Sequence, residues 1–374
     1  MKEIRLRSWS VFSGTLVVCL IQAAVQEHDA LAQQNEPVIL SPGSAIPAGY
    51  ALTNGGVYRH KSCIIPVPKH ATLWPDMVIR DKNRKELKKY QRKCAYPAYR
   101  IAADGATGVA GGLPTAGTNG YVAYNYQWAP SGSFWTELVT EMLVPPNPND
   151  RDANIAFWSG LSPQNSPNLV LQPEIIWGSF AYNGGFGAGN YQMLCGAQFT
   201  GAGDDLGYYI CSSDVSGDVN DPDGEATCDL TNVNFNDTIE FGIQLANVTS
   251  GCSDELTASG MQNVCGDWAV YELVALDETS GEQQSLQVVE SYDAGADAPP
   301  NGGLFPLALP VVYESYNDTG CESGTIFNVR VLDAYSSSSV YTGVPYSPTL
   351  GASTVNNPGC NDSLGYYGTL TTVN

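Results

Sequence analysis

The sequence predicts an all-β chain, a two-sheet antiparallel β-sandwich preceded by a small basic N-terminal segment. Two observations carry this. First, residues 121–335 hold nine short β-branched or aromatic runs, split by Gly, Pro, Asn and Asp, with no convincing helix among them. Second, charge is divided sharply. Residues 33–100 carry 12 Lys+Arg against 4 Asp+Glu, whereas 101–374 carry 2 Lys+Arg against 31 Asp+Glu.

The elements follow in order. "MKEIRLRS" supplies a positive start, "WSVFSGTLVVCLIQAAV" an apolar stretch, and "ALA" a small-residue cleavage site before Gln33. Residues 1–32 therefore read as a signal peptide. The competing reading, a membrane anchor, meets an apolar stretch that is short and interrupted for a span. Residues 33–100 read as a basic pro-segment, with short strands around Cys63 and a charge run, "RDKNRKELKKYQRKC", expected as a solvated helix or loop. "IAADGATGVAGGLPTAGTNG" (101–120) has linker composition. The sandwich domain is assigned to 121–335. Its runs include "GYVAYNYQWA", "FWTELVTEMLVP", "NIAFWSGL", "NLVLQPEIIWG", "DTIEFGIQLANV" and "LALPVVYESY". Only "SFWTELVTEML" competes as a helix, and Pro145 and Pro146 would stop it. Residues 336–374 read as a loop-rich tail.

Nine cysteines follow the signal, an odd number, which suggests disulfides with one thiol left free or paired between chains. No CxxC spacing occurs, so a zinc ribbon is not expected. No Lys and no His follows Arg100. That removes Ser-His-Asp and Cys-His catalysis, lysine Schiff bases and His-ligated metals from the large segment. Two cations among so many carboxylates also argue against nucleic-acid binding there. No cofactor and no metal is expected, and no membrane contact after signal cleavage. "DVSGDVNDPDGEATCD" (214–229) fails the EF-hand register, because Pro222 falls on a ligand position, and reads as a solvated acidic loop. "GSFAYNGGFGAGNYQ" alternates aromatics with Gly and reads either as a ligand groove or as core plus a loop.

Two strands carry misplaced polar residues. In "NLVLQPEIIWG", alternation puts Val170, Gln172, Glu174 and Ile176 on one face and Leu171, Pro173, Ile175 and Trp177 on the other. In "LALPVVYESY", Val312, Glu314 and Tyr316 share a face. Such groups are costly to bury without partners, so either strand alone also reads as turning this face to solvent. A carboxylate beside an amide is a workable hydrolytic pair, the first taking a proton from water and the second donating to an oxyanion.

Through about 134–335 the order of segments resembles the eqolisin-type glutamic peptidases. The resemblance rests on "WTELVTEMLVPP", on Trp158 and Gly160 in "AFWSGL", on Gln172 in "LVLQPEIIWG", on "NDTIEFGIQLANV", on "WAVYELVALDETSGEQQSLQV" and on Glu314 in "LALPVVYESY". It implies a secreted, acid-active endopeptidase in which Glu314 is general base and then acid and Gln172 holds the oxyanion. Glu174, Trp158, Trp177 and Tyr316 are the accessory candidates. Where that family carries an Asp after the W-x-G glycine, this chain has Ser162. "YRHKSCIIPVPKHA" is similar to the pro-regions of neprosin-like enzymes, which use two glutamates, so Glu174 stays a candidate second carboxylate. The implied partners are a protein or peptide substrate and the chain's own basic segment as intramolecular inhibitor. The net +8 of 33–100 against −29 of 101–374 favours docking at neutral pH and release in acid. Two other readings stay open: a carbohydrate-binding or glycoside-cleaving protein on a concanavalin-like sandwich, and a non-catalytic surface protein.

Overall fold

The computed structural model describes 37–101 and 121–372 apart from 42, 54–55, 75–77, 90–95, 130–132, 149–153, 163–169, 179–187, 199–208, 217–226, 258–259, 292–304, 306, 317–327, 338–343, 346–352, 357–361 and 365–369. The signal, the Gly-rich linker and most of the acidic loop thus lie outside the described residues.

The fold is all-β, as the sequence predicts, with one short 3-10 turn at Lys61–Cys63 and no α-helix among the described residues. The strands of the basic segment are β1 Val38–Leu40, β2 Tyr50–Thr53, β3 Val57–His60, β4 Ile64–Pro68, β5 Thr72–Leu73, β6 Val78–Arg80, β7 Glu86–Lys89 and β8 Tyr99–Ile101. Then come β9 Tyr121–Trp128, β10 Phe134–Leu143, β11 Asn154–Ser162, β12 Val170–Gly178, β13 Ala188–Gln198, β14 Tyr209–Ser216, β15 Thr227–Asp229, β16 Thr231–Val233, β17 Thr238–Thr257 and β18 Gly260–Asp277. β19 Gln283–Ser291, β20 Leu307–Tyr316, β21 Asn328–Ser337, β22 Val344–Pro345, β23 Ser353–Asn356, β24 Asp362–Leu364 and β25 Leu370–Thr372 complete the set.

Two large sheets pack face to face. One has ten strands, centred on β13-β12-β11-β20-β9; the other has eleven, centred on β21-β10-β17-β18-β19. Alternation builds the layer between them. Ile239, Phe241 and Ile243 of β17 and Tyr271, Leu273 and Ala275 of β18 point inward and are buried. They meet Ile155, Phe157, Ile175, Trp177 and Tyr313 of the ten-stranded sheet in one core. Phe157 stacks on Tyr313 with ring centroids 4.7 Å apart.

The basic segment is woven into this frame. β4 adds in parallel to β14 at the ten-stranded sheet, and β5 adds in parallel to β19, extending the other sheet through β6 and β7. β1, β8, β3 and β2 form a separate four-stranded sheet. The charge run expected as helix or loop is, in its described part, the exposed turn and β7 of a β6–β7 hairpin, whose β6 is buried at Val78 and Ile79. Asp81 sets its turn, Oδ1 accepting from the backbone N–H of Asn83 at 2.8 Å and Lys85 at 2.9 Å. Arg84 sits there at φ 62°.

Two readings that had competitors in the sequence are decided. The chain around 188–198 forms β13, an inner strand of the ten-stranded sheet, and its Tyr191 is buried against Phe157 and Trp177. That aromatic therefore belongs to the core and lines no groove. "SFWTELVTEML" is strand β10, held between β17 and β21.

Candidate active site

β11 and β12 are unusual in being buried on both faces: all nine residues of β11 and eight of nine in β12. One face belongs to the inter-sheet core. The other carries Trp158 and Ala156 of β11, Ile176 of β12, Leu194 of β13 and Leu307, Leu309 and Val312 of β20 in a second apolar cluster. Gln172 (1% exposed), Glu174 (0%) and Glu314 (0%) are buried on this face.

Register fixes their order. On β11, Ala156 stands opposite Glu314 and Trp158 opposite Glu174, while Leu161 opposes Leu171. Gln172 therefore stands across from Gly160. Glu314 and Glu174 flank β11 two residues apart in level, roughly 7 Å along the strand. Glu314 and Gln172 are four apart, roughly 13 Å. The sequence pointed to Gln172 as the partner of Glu314 and treated Glu174 as a neighbour, whereas the backbone brings Glu174 nearer.

Trp158 links these groups. Its indole N–H donates to Glu314 Oε1 at 3.0 Å. The far edge of the ring lies over Gly160, where an added Cβ would stand 2.5 Å from Cζ3. This explains the W-x-G spacing, since glycine leaves the space that the indole fills as it crosses the face towards Glu314. Gln172 Oε1 is buried and accepts no hydrogen bond, a cost of about 1–3 kcal/mol for a site with no use for it.

A bulge aims Glu314. Gly160 pairs with Leu309 and Trp158 with Val312, so β20 spends one residue more than β11 between these levels. Leu307 and Leu309 before the bulge thus share a face with Val312 and Glu314 after it, while Ala308 and Tyr313 enter the core. Pro310 sits in the bulge, where its missing N–H costs no ladder bond. Its carbonyl accepts from Ser159 Oγ at 2.7 Å, and Ser159 in turn accepts from Thr140 Oγ1 of the facing sheet. The proline inside "LALPVVYESY" was the signal for this bulge.

The remaining candidates are placed as follows. Trp177 lies on the opposite face of β12, inside the inter-sheet core, and so has no place beside the carboxylates. Tyr316 stands opposite Asn154 at the end of β20; its side chain is outside the described ones. Ser162 is buried opposite Leu307. Among the described residues, no group of three or more His, Cys, Asp or Glu is arranged to hold a metal.

The face is covered by the chain itself. Leu52 of β2 belongs to the apolar cluster with Trp158 and Val312, and Ala51, Tyr58 and Ile64 pack against it. Arg59, next to Tyr58, is also buried, and desolvation, with Arg100 adding repulsion, lowers its pKa to about 10.

No protein-family model and no curated protein matches the chain. Among solved structures, it is similar to scytalido-glutamic peptidase with a peptide-based transition state analog, at 12% identity and TM-score 0.34, over 68% of this chain and 98% of that one. It is also similar to SCP-B, a member of the eqolisin family of peptidases, in a complex with the tripeptide Ala-Ile-His. There the identity is 14% and the TM-score 0.32, over 67% of this chain and 98% of the other.

Proposed function

We propose that this chain is a secreted or extracytoplasmic endopeptidase of the glutamic type, made as a latent precursor and active in acid. The observation that carries the reading is the burial of Gln172, Glu174 and Glu314 on one face of one sheet, with Glu314 held by the Trp158 indole. A hydrophobic sheet does not spend its outer face on three such groups without return.

In the reaction, Glu314 takes a proton from a water, which attacks the carbonyl carbon of the scissile peptide bond. The Gln172 side-chain amide donates to the oxyanion of the tetrahedral intermediate. Glu314 then passes the proton to the leaving amine as the C–N bond breaks. The Trp158 N–H fixes the Glu314 carboxyl throughout. A two-carboxylate version of the same hydrolysis is favoured by the register, which sets Glu174 closer to Glu314 than Gln172 is. In that version a protonated Glu174 polarises the carbonyl in place of the amide.

The N-terminal segment acts as the inhibitor by covering this face. Its contact is chiefly apolar, through Leu52 and Tyr58, while the exposed basic hairpin lies at the other sheet. Release in acid therefore depends less on the overall charge split than the sequence suggested.

The test is digestion of casein and short peptides at about pH 3–4, with wild type, Glu314→Gln, Gln172→Ala and Glu174→Gln. Glu314→Gln should lower the rate by about 10²–10⁴-fold. The larger loss between Gln172→Ala and Glu174→Gln identifies the second member of the dyad. Wild-type rates in Glu314→Gln would remove the peptidase reading.

A further inference from the structure

We infer that the basic segment has two parts with different fates: a removable cover made of β1–β3, and a permanent part, β4–β7 with β8 at its C-terminal end, that stays in the enzyme after activation. The inference rests on the peptidase reading only for the word activation; the division itself is a property of the fold.

The two parts bury their side chains chiefly in different places, Ile64 at the start of β4 alone packing against the same cluster as Leu52. Leu52 of β2 packs only into the cluster over the carboxylate face, with Tyr58 of β3 against it. Ile65 and Val67 of β4, Leu73 of β5 and Ile79 of β6 are instead 0–1% exposed and belong to the core between the large sheets. Backbone pairing divides the same way. β1–β3 pair with no strand of either large sheet, and their one further partner is the three-residue β8. β4 forms a five-residue parallel ladder with β14, and β5 pairs with β19 while carrying β6 and β7.

Removing the cover leaves the ladders of both large sheets intact. It exposes the face of Trp158, Glu174 and Glu314. Removing β4–β7 as well would strip paired strands from both sheets and open the core beneath Ile65, Val67 and Leu73. A sheet edge so exposed is a site for aggregation. The junction between the parts is the turn Lys61–Cys63, where Lys61 and Ser62 are exposed. Release of the whole 33–100 segment as one pro-piece is thus incompatible with a stable product, and a cut near Lys61 is the economical route to an open face.

The test uses the full chain carrying one specific-protease site at Lys61–Ser62 and a second within 102–120. After both cuts, the protein is passed over a sizing column at pH 4 with reductant, because Cys63 is disulfide-bonded. The expected result is loss of the piece ending at Lys61 and co-elution of the piece beginning at Ser62 with the remainder. In the uncut chain, Leu73→Ala should lower the main melting transition, while Leu52→Asp should leave it in place. Departure of both pieces from a remainder that keeps its β spectrum and melting temperature would overturn the inference. Retention of both pieces would overturn the removable cover. Separation as expected, with no peptide cleaved by the open complex, would instead count against the peptidase reading alone.

Discussion

The two faces of the ten-stranded sheet are both buried, yet they are built on different terms. The inner face is largely apolar along β11, β12 and β20; the Ser159 hydroxyl is engaged with Pro310 and Thr140, and the Trp177 indole N–H is buried there without a hydrogen bond. The outer face is just as dry but holds Gln172, Glu174 and Glu314, and Gln172 keeps an acceptor with no hydrogen bond. One face is optimised for packing. The other gives up packing for chemistry, and it is closed by residues of a segment that also has a structural half.

Substitutions on the two faces should therefore fail in different ways. The largest effect belongs to the inner face. Phe157→Ala removes a fully buried ring stacked on Tyr313 and should cost about 3–5 kcal/mol of stability. Denaturant melts should show this, and activity should fall only with the folded fraction. On the outer face, Trp158→Phe keeps an aromatic ring but removes the N–H donated to Glu314. A hydrogen bond to a carboxylate is worth about 1.5–3 kcal/mol, so kcat should fall roughly 10–100-fold while the melting temperature falls by less than in Phe157→Ala. Equal damage to stability from both variants would erase the distinction.

The smallest effect lies away from both faces, on the outer side of the eleven-stranded sheet. Desolvation, then Glu278, then Glu141 raise the Glu240 pKa. Glu141 stands directly opposite Glu240 on β10, and Arg330 of β21 stands opposite Glu141 in turn. A carboxyl raised in the folded state contributes stability below its ordinary pKa and loses it as pH climbs through the raised value. Glu240→Gln should accordingly raise the melting temperature at pH 7 by about 1 °C, as for a weak exposed interaction, and leave it unchanged near pH 3. A larger gain in acid than at pH 7 would contradict the sign.

Much of this was legible in the sequence. Alternation placed Gln172 with Glu174, and Trp177 away from them, because β12 runs without a bulge across these positions. Strands β10, β11 and β17–β20 announced themselves by β-branched and aromatic residues. β13 was missed because "AGNYQMLCGAQ" is Gly- and Ala-rich with no β-branched residue. The double role of the basic segment was also hidden. Parallel additions such as β4 on β14 join residues far apart in the chain, and no local pattern records them. The bulge at Pro310 was visible only as a proline in a strand. Its consequence, a change of face between Leu309 and Val312, needs the register of β11. Dyad choice suffers most from this, since the level of Glu314 against Gln172 and Glu174 depends on that one extra residue.

The claim that the outer face gives up stability for function is tested most directly by Gln172→Leu, measured for folding and for peptide hydrolysis at about pH 3–4. Leucine removes the orphaned acceptor and fills similar space. The account predicts a chain that is at least as stable, by up to about 1–2 kcal/mol, together with hydrolysis reduced by roughly 10²-fold or more. A destabilised chain that hydrolyses at the wild-type rate would make Gln172 a structural residue and contradict the account.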